Sequence, residues 1–175
     1  MADNTLIERL NEIRFAALRQ ASESRDVEAL MSWHSKDATF VGKGQNICLK
    51  GRDAVREFYA MTYKSMPAFR ITESKFTAHT LEFVACEMKC DGQAGIDLPG
   101  LGAKAGETVT LTGVSLFWCR WEGDGEWDGN LSEEVVKGWK IIEEHAYYHV
   151  EVSGREPGNK DHTSSKGGIV DADRL

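Results

Sequence analysis

Val109-Thr-Leu-Thr-Gly-Val-Ser-Leu-Phe-Trp-Cys-Arg-Trp121 and Gly138-Trp-Lys-Ile-Ile-Glu-Glu-His-Ala-Tyr-Tyr-His-Val-Glu151 are two strand-like runs joined by an acidic loop. Both are rich in β-branched and aromatic residues and bounded by turn formers, the signature of paired strands. Side chains alternate across a strand, which sorts the second run into two faces. One carries Trp139, Ile141, Glu143, His145, Tyr147 and His149, and the other Lys140, Ile142, Glu144, Ala146, Tyr148 and Val150. On the first run Gly113, Ser115, Phe117 and Cys119 share a face, with Trp118 and Arg120 opposite.

The chain upstream supplies what such a sheet would wrap. Thr5 and Glu8 form a capping box ahead of Leu6, Ile7, Leu10, Ile13, Ala17 and Leu18 at helical spacing, so a first helix runs to about Ser22. Ser24-Arg-Asp26 restarts a shorter helix, and Gly51-Arg-Asp53 opens a third that Pro67 stops. Lys36 to Val41 and Asn46 to Lys50 read as an early hairpin around Gly42-Lys-Gly44. Two more strands are expected near 70–78 and 82–90. The 92–106 segment, with five glycines and Pro99, reads as a loop long enough to carry function. The expected fold class is α+β: a strongly curved, mostly antiparallel sheet around three N-terminal helices, leaving a conical cavity at its open end. Residues 1–152 form one domain in this reading, and the polar, breaker-rich 153–175 tail is disordered.

Composition narrows the function. A net charge of −7 and a pI near 5.3 argue against nucleic acid and anionic membranes as partners. No apolar run approaches the roughly 18 residues of a membrane span. The charged start lacks a signal-peptide core, so a cytoplasmic protein is expected. Cys86 and Cys90 would lie about 13 Å apart along one strand, too far for a disulfide, and all four cysteines read as reduced, small apolar residues. Asp124-Gly-Glu-Trp-Asp-Gly-Asn-Leu131 imitates a calcium loop, but its twelfth place is Val135 rather than a glutamate and its flanks are strands. No nucleotide loop, nucleophile pair or redox motif is present. The chemistry expected uses neither metal nor cofactor.

Asp37-Ala-Thr-Phe40, Gly51-Arg-Asp-Ala-Val55, Pro67, Gly113-Val-Ser-Leu-Phe117 and Lys140-Ile-Ile-Glu-Glu-His-Ala-Tyr-Tyr148 occur in an order that resembles the SnoaL-like branch of the NTF2-like superfamily, over roughly residues 6–150. The resemblance implies an NTF2-like cone and a cofactor-independent cyclase, isomerase or dehydratase acting on a polyketide- or terpenoid-type carbonyl compound in natural-product biosynthesis. It also implies a homodimer through the outer sheet face. A non-catalytic binding or dimerisation module of the same superfamily is the alternative, and fold alone does not choose between them. The aspartate that SnoaL-like cyclases carry on the last strand matches Ala146 here. The ketosteroid isomerase base matches about Gly42, and its helix-one tyrosine falls near Phe15 or Leu18. Neither mechanism is copied.

Since the family aspartate faces the pocket, Ala146 is expected to do so, flanked by Glu144 and Tyr148 about 6–7 Å away along the strand. A carboxylate in an aromatic, poorly solvated cavity has a raised pKa and can move a proton α to a carbonyl, while a phenol holds the enolate oxygen. Glu144 is the candidate acid/base and Tyr148 the candidate polariser. The competing reading makes Glu144 an ion-paired strand-end carboxylate and Tyr148 core packing. Substrate lining is expected from Trp33, Phe40, Tyr59, Tyr63, Met66, Ser115, Phe117, Cys119 and Ala146. His145 and His149, about 13 Å apart on a strand, cannot share a metal. His145 enters the pocket only if a bulge shifts the register. His34 either reaches the cavity or is a cationic residue at a helix C-terminus.

Overall fold

A computed structural model describes residues 4–153 of the 175-residue chain. Of the expected 153–175 tail only Ser153 is described, and it is the last residue of a strand rather than disordered; the rest of the tail and the Met1–Ala2–Asp3 start fall outside the described residues. Helix α1 (Asn4–Ser24) ends where Arg25 turns left-handed at φ 57. Helix α2 (Val27–Met31) starts on Asp26, whose carboxylate accepts the Ala29 N–H at 2.9 Å, as an N-cap should. Strands β1 (His34–Gly42) and β2 (Ile47–Lys50) make the early hairpin. Helix α3 (Arg52–Ser65) ends two residues before Pro67. Strands β3 (Arg70–His79), β4 (Phe83–Gln93), β5 (Thr108–Trp121) and β6 (Trp139–Ser153) follow, with a short helix α4 (Glu133–Val136) between the last two.

The six strands form one sheet in the order β2-β1-β6-β5-β4-β3. All neighbours are antiparallel except β1 and β6, which run parallel. The helices pack into its concave face, and Leu10, Leu30, Met31, Val55, Val84 and Ile141 are almost completely buried between the two. This is the expected α+β fold with an open, curved sheet. Strand β1 starts at His34, two residues earlier than expected, so the segment read as helix end is already sheet.

Strict alternation along β6 fails at one place. Trp118 pairs with Glu143 while Cys119 pairs with Ile141, so Ile142 is an extra residue in the ladder. Such a bulge turns the side chains before it by one face. Trp139 and Ile141, expected to share a face with Glu143 and His145, are instead 5% and 1% exposed in the core. Glu144, Ala146 and Tyr148 keep the inward face that the sequence assigned them.

The acidic 122–138 loop covers one end of the core. Its Trp127 meets Trp139 edge to face at 5.6 Å, and Val136 is fully buried, so the loop seals the core beside α1. Among the described residues no group of three or more acidic, cysteine or histidine side chains could hold a metal ion, the calcium-like stretch included.

Gly113 sits opposite Tyr148, and a Cβ there would collide with the Tyr147 carbonyl oxygen. Gly113→Ala should therefore cost about 1–3 kcal/mol through a forced backbone shift. Gly100→Ala, where a Cβ meets open space, should stay within about 0.5 kcal/mol. Urea denaturation of the two variants checks this; equal stabilities would refute the close approach of β5 and β6.

Candidate active site

Register builds the site. Across β5 and β6, Phe117 faces Glu144, Ser115 faces Ala146 and Gly113 faces Tyr148. Ser115 thus lies between the two ionisable residues, and Ala146 leaves room for its hydroxyl. Ser115 donates to Glu144 Oε1 at 3.4 Å and shares a 2.7 Å hydrogen bond with the Tyr148 hydroxyl. From α3, Tyr59 donates its hydroxyl to Glu144 Oε2 at 3.0 Å. Helical spacing places Val55, Tyr59 and Tyr63 along the inner face of α3, with Met66 just past its end, and the Tyr63 hydroxyl donates to Ser22 at 3.1 Å, tying α3 to α1.

Glu144 is only 4% exposed, and among the described residues no cation pairs with it. Burial pushes its pKa from 4.5 up to about 7, against the opposing pull of the Tyr59 and Ser115 hydrogen bonds. Burial and the nearby carboxylate raise the Tyr59 phenol well above its ordinary range, and burial does the same to Tyr148. Cys90 is pushed up to about 12 by burial and stays a thiol, which removes it as a nucleophile.

Two cavities meet at this cluster. One, of about 110 Å³, lies against α1 and is lined by Leu18, Tyr63, Phe76 and Phe117 among others. The second, of about 450 Å³, opens between α3 and the 94–107 loop. Glu144, Tyr59, Tyr148, Phe69 and Cys90 line both. The loop contributes Ile96, Asp97, Leu98, Pro99, Gly100 and Leu101 to the larger cavity. It is held by Gly95 N–H to the Ser65 carbonyl at 2.7 Å, by a Leu98–Ala103 bridge and by a 3₁₀ turn, Pro99–Leu101. Sequence reading flagged this loop by length but not its residues; Tyr59 was expected as lining and not as the hydrogen-bond donor to Glu144.

The expected lining residues divide between the two cavities and the core. Phe40, Met66 and Ala146 face the larger cavity, Tyr63 and Phe117 the smaller, and Ser115 lies beneath both carboxylate and phenol. Trp33 and Cys119 are not at the cavities. Trp33 is 2% exposed in the core, with Lys137 Nζ 6.0 Å from its ring centroid. Cys119 accepts a hydrogen bond from the fully buried Arg14 at 2.9 Å, and Arg14 also stacks on Trp139 at 5.8 Å. Arg14 lies four residues from both Leu10 and Leu18, on the apolar stripe of α1, and that spacing is the signal that could have marked it as buried. The bulge does not bring His145 inward: its ring meets that of Trp118 edge-on with centroids 4.8 Å apart, and its Nε2 lies 2.5 Å from Glu143. His34 is not a cationic helix terminus. It is 3% exposed, lines the smaller cavity, and burial lowers its pKa to about 4.

A profile of the SnoaL-like domain matches residues 15–128, and the chain belongs to that family. The match ends before β6, which carries Glu144 and Tyr148. Solved structures match a larger share of the chain. A proposed polyketide cyclase from Xanthomonas campestris pv. campestris superposes with a TM-score of 0.60 at 19% identity, over 81% of this chain and 93% of that one. An NTF2-like protein from Anabaena variabilis gives 0.55 at 15%, over 85% and 93%. A protein with a ketosteroid isomerase-like fold from Catenulispora acidiphila gives 0.50 at 18%, over 77% and 84%. At these identities the likeness is one of fold. Comparison with curated proteins finds no match.

The Glu144 environment has a measurable signature. A carboxyl whose pKa rises from 4.5 to about 7 on folding makes the native state bind more protons between those values, so its contribution to stability falls as pH rises through that window and is level above it. His34, with its lowered pKa, acts in the opposite sense between about 4 and 6.5, so wild type must be compared with Glu144→Gln. The variant should gain on wild type as pH rises from 4.5 to 7, by up to about 3 kcal/mol, then run parallel. Urea melts from pH 4 to 8.5 check this; a pH-independent difference would refute the buried carboxylate's raised pKa.

Proposed function

We propose that the chain is a cofactor-independent acid/base enzyme acting on a carbonyl compound of polyketide or terpenoid type, by cyclisation, isomerisation or dehydration. The observation that carries this reading is Glu144: a buried carboxylate, titrating near neutrality, at the junction of two largely apolar cavities. As base, its carboxylate removes the proton α to a substrate carbonyl, and as acid it returns that proton to another atom. Tyr59 and Ser115 hold the carboxylate in place. Tyr148 donates its phenol proton to the developing enolate oxygen, with Ser115 turning to donate to the Tyr148 oxygen. No step needs a metal or cofactor.

The larger cavity supports a bicyclic or longer apolar substrate. Membership in the SnoaL-like family and the fold shared with a proposed polyketide cyclase fit the same class. Ala146 at the position of the family aspartate favours the second reading, a protein that binds such a molecule without turning it over. Pairing through the outer face belongs to the same proposal and is supported by Trp118, His145 and the 44%-exposed Tyr147 there. So does a cytoplasmic location; no helix among the described residues is long and apolar enough to cross a membrane.

Exchange of the α protons of 2-tetralone for deuterium, followed by NMR, tests the chemistry. Wild type should accelerate exchange with a rate that rises as Glu144 ionises towards pH 7. Glu144→Gln should lose roughly 10²–10⁴-fold, and Tyr148→Phe about 10²-fold. Binding without any acceleration would leave the non-catalytic reading; acceleration that survives both substitutions would sink the proposed roles.

A further inference from the structure

His34 holds a buried atom that the acid/base scheme leaves unused. Its Nδ1 lies 3.0 Å from the Leu30 carbonyl oxygen. A carbonyl only accepts, so Nδ1 carries the proton in the neutral ring and Nε2 keeps a lone pair. The ring is neutral because burial, with Arg52 and Lys140 nearby, disfavours a second proton. Nε2 is buried and has no hydrogen-bond partner among the described residues. An orphaned acceptor of this type costs stability unless something satisfies it. His34 also lines the cavity of about 110 Å³ that Glu144 and Tyr59 share, with its ring 6.3 Å from that of Tyr59. The remaining wall is mainly apolar, from residues such as Phe15, Phe76 and Phe117.

We propose that His34 Nε2 is the acceptor for a hydroxyl (or equivalent O–H or N–H donor) on the substrate, so that the enzyme selects hydroxylated carbonyl compounds. This rests on the reading of the Glu144 cavities as the substrate site and specifies their ligand. The reacting carbon lies at Glu144, and a small hydroxyl-bearing part of the same molecule fills the α1-side cavity. His34 transfers no proton in this arrangement. It positions the substrate, and an analogue with methyl in place of hydroxyl leaves Nε2 unpaired and is rejected.

Phenol and toluene, alike in shape and differing in the donor, serve as probes. Long-range ¹H–¹⁵N spectra of the ¹⁵N-histidine-labelled chain, with His34 assigned through His34→Gln, should place the free Nε2 among unprotonated imidazole nitrogens. Phenol should move that resonance upfield and bind several-fold more tightly than toluene; toluene should leave it unmoved. His34→Phe should abolish the phenol preference, while Glu144→Gln should keep it. An Nε2 signal that does not respond to phenol overturns the inference, as does equal affinity for the two probes. A preference lost in Glu144→Gln but kept in His34→Phe also overturns it, assigning the donor to Glu144. Glu144-dependent exchange of 2-tetralone alongside an unmoved His34 signal would overturn this inference alone and leave the acid/base reading in place.

Discussion

The concave face of the sheet has to bury a carboxylate that no cation among the described residues neutralises. Desolvating an ionised carboxylate costs several kcal/mol even after relaxation, and proteins normally answer with a counter-charge or a metal. Here the answer is two hydroxyl donors, Tyr59 and Ser115, one to each oxygen of Glu144. Neutral donors only partly offset desolvation, so the acid and its conjugate base come close in energy near neutral pH. Much of the site follows from meeting that constraint. Helix α3 must press Tyr59 against β6, β5 must offer a small hydroxyl at Ser115, and position 146 must be small enough to let that hydroxyl reach its neighbours.

The same constraint divides the interior. Glu144, Tyr59 and Tyr148 form a polar partition between a small aromatic cavity against α1 and a larger one under the 94–107 loop. A bound molecule is met by the proton-transfer group from either side. The buried hydroxyls are connected rather than isolated, since Ser115 bonds both Glu144 and Tyr148. Within such a network, moving one proton re-aims the others. Outside this partition, Arg14 solves a similar problem differently, by a sulfur acceptor at Cys119 and the face of Trp139. That arrangement makes Cys119 a supporting residue of the core and withdraws it from the ligand.

Much of the fold was legible in the chain because its signals are local. The Asp26 cap, the Pro67 stop and the period-two runs of β5 and β6 each act over a few residues, and element bounds fell within a few positions of their expected places. The inward face of Glu144, Ala146 and Tyr148 followed from alternation anchored on one family position. Alternation failed for Trp139 and Ile141, because the Ile142 bulge reflects how β5 and β6 accommodate the sheet's curvature, a property of the pair and not of either strand. Trp33 was misplaced for a related reason: an aromatic beside a helix end reads the same whether it faces a cavity or fills the core.

By itself the sequence determined the order and type of the elements and, once one family position anchored it, the alternation of the last strand beyond its bulge. It also put a carboxylate and a phenol two residues to either side of a pocket alanine. Helical and strand periods are set by backbone geometry, which every residue reports locally. Only the tertiary structure decided which side chains meet across elements: Tyr59 on Glu144, Ser115 between Glu144 and Tyr148, Arg14 on Cys119, and an unpartnered His34 nitrogen beside a cavity. Those contacts join residues 85, 29, 33 and 105 positions apart. They depend on sheet curvature and helix docking, and these are set by the packing of the whole core at once.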